Sequence, residues 1–303
     1  MSGQLSVTVL AGSPGNDGSS AVQQLIEQNG DLRLTAIVPK RSRKRGRSSG
    51  DVPVIPTTER LIQLGQGCSC CTVRGDLMAK IQRIADEQSA DHILIHTTPH
   101  ADLRTLAKTF TVADDKGAVL SDVAQIGSLV TVVEVETFLE AIAGAGARSL
   151  IERIELANVV LFEGASAISA EIREQILSVV GVLNAGARVI FEGGDGLSIS
   201  SLVADQPFDL DLADRRLDSE VGLAGDSSAD DSTVKFTYQA RRPFHPARLH
   251  ALLAEPLAGV LRAKGTFWVA SRPEFACAID VAGMSRNIAP EGQWWATVPA
   301  ENR

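Results

Sequence analysis

The 303-residue chain is predicted to be an α/β protein, a mainly parallel sheet covered by helices and followed by a small α+β domain. Three observations predict it. Short β-branched runs alternate with segments of helical spacing as far as Glu192. The first run, Ser6 to Ala11, empties into a glycine-rich turn and then a helix. From Ala204 to Ser232 the composition shifts to Asp, Ser and Gly, too poor in apolar residues to pack, and a shorter α+β pattern follows.

Ser6–Ala11 (SVTVLA) reads as a strand ending in Gly12, Ser13, Pro14 and Gly15, and Ser19–Gln28 as a helix with Val22, Leu25 and Ile26 on one face. A second strand, Leu32–Val38, follows. Asp76–Ser89 has helical spacing through Leu77, Ile81 and Ile84, and His92–His96 (HILIH) is a compact apolar strand. Then come a helix near Asp102–Thr109, the strand Ser128–Glu134, helices around Phe138–Ile142 and Leu150–Glu155, the strand Asn158–Phe162, the helix Ala170–Leu183 and the strand Arg188–Glu192. Beyond the shift, Val234–Ala240 alternates like a strand, Pro246–Leu261 reads as a helix and Thr266–Ser271 as a strand. The expected organisation is a large domain over 1–205, an acidic linker over 206–233 and a small domain over 234–303.

A formal net charge of -8 argues against whole-protein attraction to DNA or anionic membrane, which rests on neutralising phosphate with Lys and Arg. No stretch approaches the ~20 consecutive apolar residues of a membrane span, and Met1–Gly12 lacks the basic start and long apolar run of a signal peptide. The expected compartment is the cytoplasm. One segment is strongly positive: Lys40, Arg41, Arg43, Lys44, Arg45 and Arg47. It reads as a solvated loop or, alternatively, as a phosphate or RNA contact.

Three turns after strands carry the candidate chemistry. The first, Gly12 to Ser20, lies where a phosphate-binding loop would lie, between a strand and a helix amino end whose N–H groups and dipole favour an anion. Counted from Gly12, the second glycine position of that loop pattern holds Asp17, the lysine position holds Gly18, and only Ser19 fits. Without the lysine, and with a carboxylate where phosphate would sit, tight binding of GTP with Mg²⁺ is not expected. The N–H groups around Gly12, Gly15 and Ser19 leave either a weak anion site or a generic strand-turn-helix.

The second is Gly67-Cys-Ser-Cys-Cys71. In an extended segment Cys68 and Cys70 point to one side and Cys71 to the other. Thiolates select soft or borderline cations such as Zn²⁺ or Cu⁺, and a site short of four protein ligands stays open to exchange. A redox or structural cysteine cluster is the alternative. The fourth cysteine, Cys277, sits among apolar residues and reads as a small buried hydrophobe. The third turn is His96-Thr-Thr-Pro-His100, where a nucleotide hydrolase carries an acidic residue and a glycine near the γ-phosphate. His96 and His100 are candidate extra zinc ligands or simply hydrogen-bonded turn residues.

Taken together these residues resemble the CobW family of G3E GTPases, which includes zinc metallochaperones. The resemblance is strongest over Leu64–Leu77 (LGQGCSCCTVRGDL), which is similar to the family's metal motif, and continues in Thr97-Thr98, Ala101-Asp102 and Leu129–Glu134. In the small domain it is carried by Arg241–Pro246, Arg262–Gly265, Trp268 and Gly292–Trp295. The resemblance implies a P-loop GTPase-type fold with a CobW carboxyl-terminal domain, and a metal site at Cys68, Cys70 and Cys71.

The departures from the family pattern are equally specific. The lysine of the phosphate loop is replaced, Pro39-Lys-Arg-Ser42 lacks the acidic residue of the switch segment, and Phe162-Glu-Gly-Ala165 stands where the guanine-reading residues would be. A histidine-rich metal loop is absent from the linker. Phosphoryl transfer depends on positioning and on lysine and magnesium charge, so the expectation is a zinc-binding relative whose GTP hydrolysis has been lost. Its implied partner is a client metalloprotein. Two alternatives are a zinc-responsive adaptor with ribosome contact, similar to a CobW relative that recruits a ribosome-hibernation factor, and an active GTPase metallochaperone with an unusual phosphate loop.

Overall fold

The computed structural model describes residues 4–28, 32–39, 60–64, 72–113, 117–192, 197–203, 207–218, 235–255, 257 and 259–298. These fall into two compact units. The first comprises Met1–Val135, Leu156–Ile168 and Gly186–Ala213; the second comprises Glu136–Glu155, Ser169–Ala185 and Asp214–Arg303.

Among the described residues the chain runs β1 (Leu5–Gly12), α1 (Ser19–Glu27), β2 (Leu34–Pro39), β3 (Arg60–Leu64), α2 (Thr72–Asp86), β4 (His92–Thr97), α3 (Leu103–Thr111), β5 (Ala124–Glu134), α4 (Val135–Ala143), α5 (Ala147–Leu156) and β6 (Val159–Glu163). It continues through α6 (Ala170–Leu183), β7 (Arg188–Phe191), α7 (Ile199–Leu202), α8 (Leu210–Asp218), α9 (Pro246–Ala254), β8 (Arg262–Val269), β9 (Arg272–Ala282) and β10 (Ser285–Gln293).

The first unit is built on a sheet of seven parallel strands in the order β3-β2-β4-β1-β5-β6-β7. This is the parallel sheet expected from the alternation. β1 is central, bonded to β4 on one side and β5 on the other, and Val7, Val9, Leu10 and Ala11 are fully buried. A strand covered on both faces needs mostly apolar residues at consecutive positions, hence the run VTVLA, broken only by the β-branched Thr8. Ala21, Val22, Leu25 and Ile26 of α1 join Leu10, Leu94, Val130, Val132, Val159 and Leu161 of the sheet and Leu197, Ile199 and Leu202 in one core cluster.

Polar side chains are built into and beside this core, among them His92 and the half-buried Asn158. His92 donates or accepts one hydrogen bond with Thr8 Oγ1 at 2.9 Å, and burial pushes its imidazole down to about 4. Between Val7/Thr8 of β1 and Ile126/Ser128 of β5 the register slips by one residue at Gly127. Asn158 satisfies the groups this bulge frees, accepting from Leu129 N at 2.8 Å and donating to the Gly127 carbonyl at 3.1 Å.

The second unit contains an antiparallel sheet in the order β10-β9-β8. Its charged centre is Arg262, whose guanidinium grips both oxygens of Glu155 at 2.8 and 3.1 Å, with side chains 4% and 5% exposed. Lys264 Nζ adds a contact to Glu155 at 3.3 Å and donates to the carbonyls of Arg216 and Leu217. Asp280 accepts from Arg262 and Arg148; burial would raise its carboxyl, but these two cations hold it below the ordinary carboxylate range. A fork-to-fork pair with its remaining lone pairs satisfied is the arrangement in which buried charge is tolerated.

Several expectations need correction. Leu210–Asp218, within the stretch read as an acidic linker, forms α8: Asp209 accepts from Leu212 N at 2.9 Å as its amino cap, and Ala213 is fully buried. Residues 235–240, read as a strand, carry no regular element. The helix expected to reach Leu261 ends at Ala254, because Glu255 precedes Pro256 and adopts the extended φ -95°, ψ 151° that a following proline favours. Cys277, read as buried, is half-buried within β9. β3, β9 and β10 were not expected at all; β10 carries Pro290 at a register irregularity, which fits its place at the edge of its sheet. No helix among the described residues is long and apolar enough to cross a membrane.

Candidate functional site

Because all seven strands run the same way, the turns after β1, β4, β5 and β6 meet at one edge of the sheet, where ligands of open α/β sheets bind. The loop after β1 folds back tightly over its own start. A side chain at Gly12 would place its Cβ 2.2 Å from the Asn16 carbonyl oxygen and 2.5 Å from the Asp17 carbonyl carbon, so only glycine fits. Gly15 and Gly18 adopt φ +96° and +73°, closing a turn in which Asn16 N donates to the Ser13 carbonyl at 3.0 Å.

Two of the amides that would greet an anion are already engaged. Gly18 N donates to Asn16 Oδ1 at 2.8 Å, and Ser19 N, at the first residue of α1, donates to Asp17 Oδ1 at 3.0 Å. Asn16 in turn donates through Nδ2 to Glu163 Oε2 at 2.6 Å, tying the loop to the end of β6. Glu163 is 8% exposed, and its Oε1 has no hydrogen-bond partner among the described residues. Burial raises its carboxyl, Glu192 and Asp17 add to that by repulsion, and the Asn16 amide and the backbone of Ala21 in α1 oppose it. Glu192 stands beside it, accepting from Gln24 of α1 and from Gly164 N at 3.2 Å.

An open depression of about 540 Å³ adjoins the loop, lined by Gly15, Asn16, Asp17, Pro99 and Glu134. Glu134 ends β5 and is the register partner of Glu163 on β6. The lining therefore carries carboxylates and no cationic side chain among the described residues.

The candidate residues divide as follows. Gly12, Gly15 and Ser19 lie together in the loop. His96 ends close to it, its Nε2 2.7 Å from the Asp17 carbonyl oxygen. A carbonyl only accepts, so Nε2 carries the proton, and in the neutral ring the lone pair that could serve a metal is on Nδ1. His100 is exposed in the same turn. Cys68, Cys70 and Cys71 lie outside the described residues, between Leu64 at the end of β3 and Thr72 at the start of α2, and so does the basic segment Lys40–Arg47. Among the described residues no three His, Cys, Asp or Glu side chains converge as a metal site. Asn16 and Glu163 were not anticipated as a pair; the visible signal was a charged residue ending the otherwise apolar strand VVLFE.

Comparison with known proteins adds the following. The model of a family described as the CobW/HypB/UreG nucleotide-binding domain matches residues 6–191, and that of the cobalamin synthesis protein cobW C-terminal domain matches residues 233–303. The zinc-regulated GTPase metalloprotein activator 1 of Dictyostelium discoideum is 26% identical over 328 aligned positions, 97% of this chain and 69% of that protein. A Mycobacterium tuberculosis protein named as a zinc chaperone is 26% identical over 253 positions, 80% of this chain and 63% of that protein. This chain thus spans about two thirds of the length of these relatives. Among solved structures, the Zn(II)-bound YjiA GTPase from E. coli aligns over 98% of this chain and 92% of its own, with 15% identity and a TM-score of 0.45.

Proposed function

The chain belongs to the CobW/HypB/UreG family, and on that premise we propose that it is a zinc-handling protein that holds Zn²⁺ through Cys68 and Cys70, with Cys71 and His96 as further ligands, and does not turn over GTP. The observation that carries the metal half is the sulfur cluster Gly67–Cys71, which follows the strand β3 in a chain whose relatives bear zinc in their names. Its donor set suits the ion: thiolates with an imidazole nitrogen match the ligands zinc takes, and a site short of four protein ligands stays open to exchange. His96 supports this reading because the proton on Nε2 leaves Nδ1 as the donor.

The nucleotide half is supported by the loop. It has no lysine, its first helical amide is bonded to Asp17, and carboxylates line the adjoining depression. Stabilising the charge that develops on a transferred phosphoryl group requires cations aimed at it, and here the fixed charges have the opposite sign. Zinc would then pass to or from a client metalloprotein by ligand exchange at the open site.

Metal analysis of protein purified under zinc-replete, reducing conditions tests this directly. About one zinc per chain is expected, with thiolate-to-metal absorption after cobalt substitution, and both disappear when Cys68→Ser is combined with Cys70→Ser. Protein free of metal under these conditions removes the zinc reading. A saturable, magnesium-dependent calorimetric titration with GTP removes the other half and favours an active GTPase.

A further inference from the structure

On the reading above the loop lacks the lysine that would attract phosphate, which leaves open what now holds it in a tight turn. A phosphate loop is a ring of backbone N–H groups at a helix amino end, and without an anion those groups and the helix dipole are unsatisfied. In this chain the anions are internal. Asp17 accepts from Ser19 N in the first turn of α1. Glu163 reaches in from β6 and accepts from the Asn16 side chain at 2.6 Å; burial raises its carboxyl, and the Asn16 amide and the backbone of Ala21 in the same first turn oppose that rise. Asn16 is the link, since its Oδ1 accepts from Gly18 N while its Nδ2 donates to Glu163.

A buried carboxylate is costly to desolvate and persists only where hydrogen bonds and positive potential compensate. The amino end of α1 supplies that potential, and it is the same potential that would otherwise hold a phosphate. Gln24, one turn further along α1, anchors the second carboxylate of this group, Glu192.

We propose that Glu163 and Asp17 act as a built-in anion that fills the phosphate position at the amino end of α1, so that the loop is locked by the chain's own carboxylates and kept closed to external phosphates. The residue on β6 that the sequence aligns with base recognition has thus become the stopper of the phosphate loop. This rests on the nucleotide half of the reading above and adds that the closure is reversible by removing charge.

The test is a titration of the full chain with inorganic pyrophosphate at matched ionic strength, followed by amide chemical shifts and by thermal midpoint, for the wild type, Glu163→Gln, Asp17→Gly and the double variant. Glu163→Gln keeps an acceptor for Asn16 and removes only the charge; Asp17→Gly frees Ser19 N and restores the glycine of the phosphate-loop pattern. The wild type is expected to show no saturable response, and the double variant to bind at least about tenfold more tightly than the wild-type limit, with each single variant between, because two opposing charges have been withdrawn from beside the anion. A folded double variant that gains nothing, or a wild type that binds pyrophosphate as well as the double variant, overturns the proposal. Should the double variant fold poorly, Glu163→Gln alone decides, since its geometry is conserved: no gain over wild type overturns it. Zinc content measured on the same samples reports separately on the metal reading.

Discussion

The buried histidine His92 sets a quantitative acid limit on the first unit. Its side chain is 4% exposed, its ring is hydrogen-bonded to Thr8 Oγ1, and its imidazole is pushed down to about 4 from an ordinary value of 6.5. In the unfolded chain the ring takes a proton as the pH falls through 6.5, whereas in the folded chain it stays neutral until about 4. Stability from this group is therefore fully present above pH 6.5 and is lost progressively as the pH falls toward 4. At 1.36 kcal/mol per pH unit the loss over that window is roughly 3 kcal/mol, a large part of a domain's total. His92→Gln keeps a hydrogen-bonding amide for Thr8 and has no proton to take up. Urea unfolding followed by far-ultraviolet circular dichroism at steps between pH 7.5 and 4 is the assay, because Trp268, Trp294 and Trp295 all lie in the second unit and their fluorescence would miss the sheet. The stability difference between wild type and variant should close or reverse by roughly 3 kcal/mol on acidification. A difference that stays constant across the window refutes the argument.

Two further outcomes follow from packing in the second unit. Glu155→Gln strips the carboxylate from Arg262 and Lys264 while both stay buried, so tryptophan-monitored unfolding should show a loss of about 3–5 kcal/mol; less than about 1 kcal/mol would mean the pair contributes little. Gly283→Ala would force a Cβ to 2.5 Å from the Ala147 Cβ and 2.8 Å from the Ile142 carbonyl oxygen at φ +53°, lowering the thermal midpoint by the equivalent of about 2 kcal/mol or more. Gly265→Ala, with open space around its Cβ, is the control and should be neutral or slightly stabilising.

The strands β1, β4, β5 and β6 of the first unit were legible because their residues are mostly buried and read as apolar, β-branched runs, from SVTVLA to VVLF. The glycines of the first loop were legible as well, since the close approach at Gly12 and the positive φ of Gly15 and Gly18 demand that residue type. α8 was hidden by composition: LDLADRRLD is mostly charged, and its helical period rests on Leu210, Ala213 and Leu217 alone. β10 was hidden because an edge strand of a small sheet need not alternate, and SRNIAPEGQ does not. The partnership of Asn16 with Glu163 spans 147 positions and depends on β6 lying two strands from β1, which no local pattern reports.

The strand order also works as a ruler. β3 stands three strand spacings from β1, through β2 and β4, so Leu64, from which the chain leads on to the thiols, and Gly12, where the glycine loop begins, are held about 14 Å apart at ~4.8 Å per strand. Any molecule addressing both must bridge that gap along the rim, and β4, bearing His96, is the last step on the way.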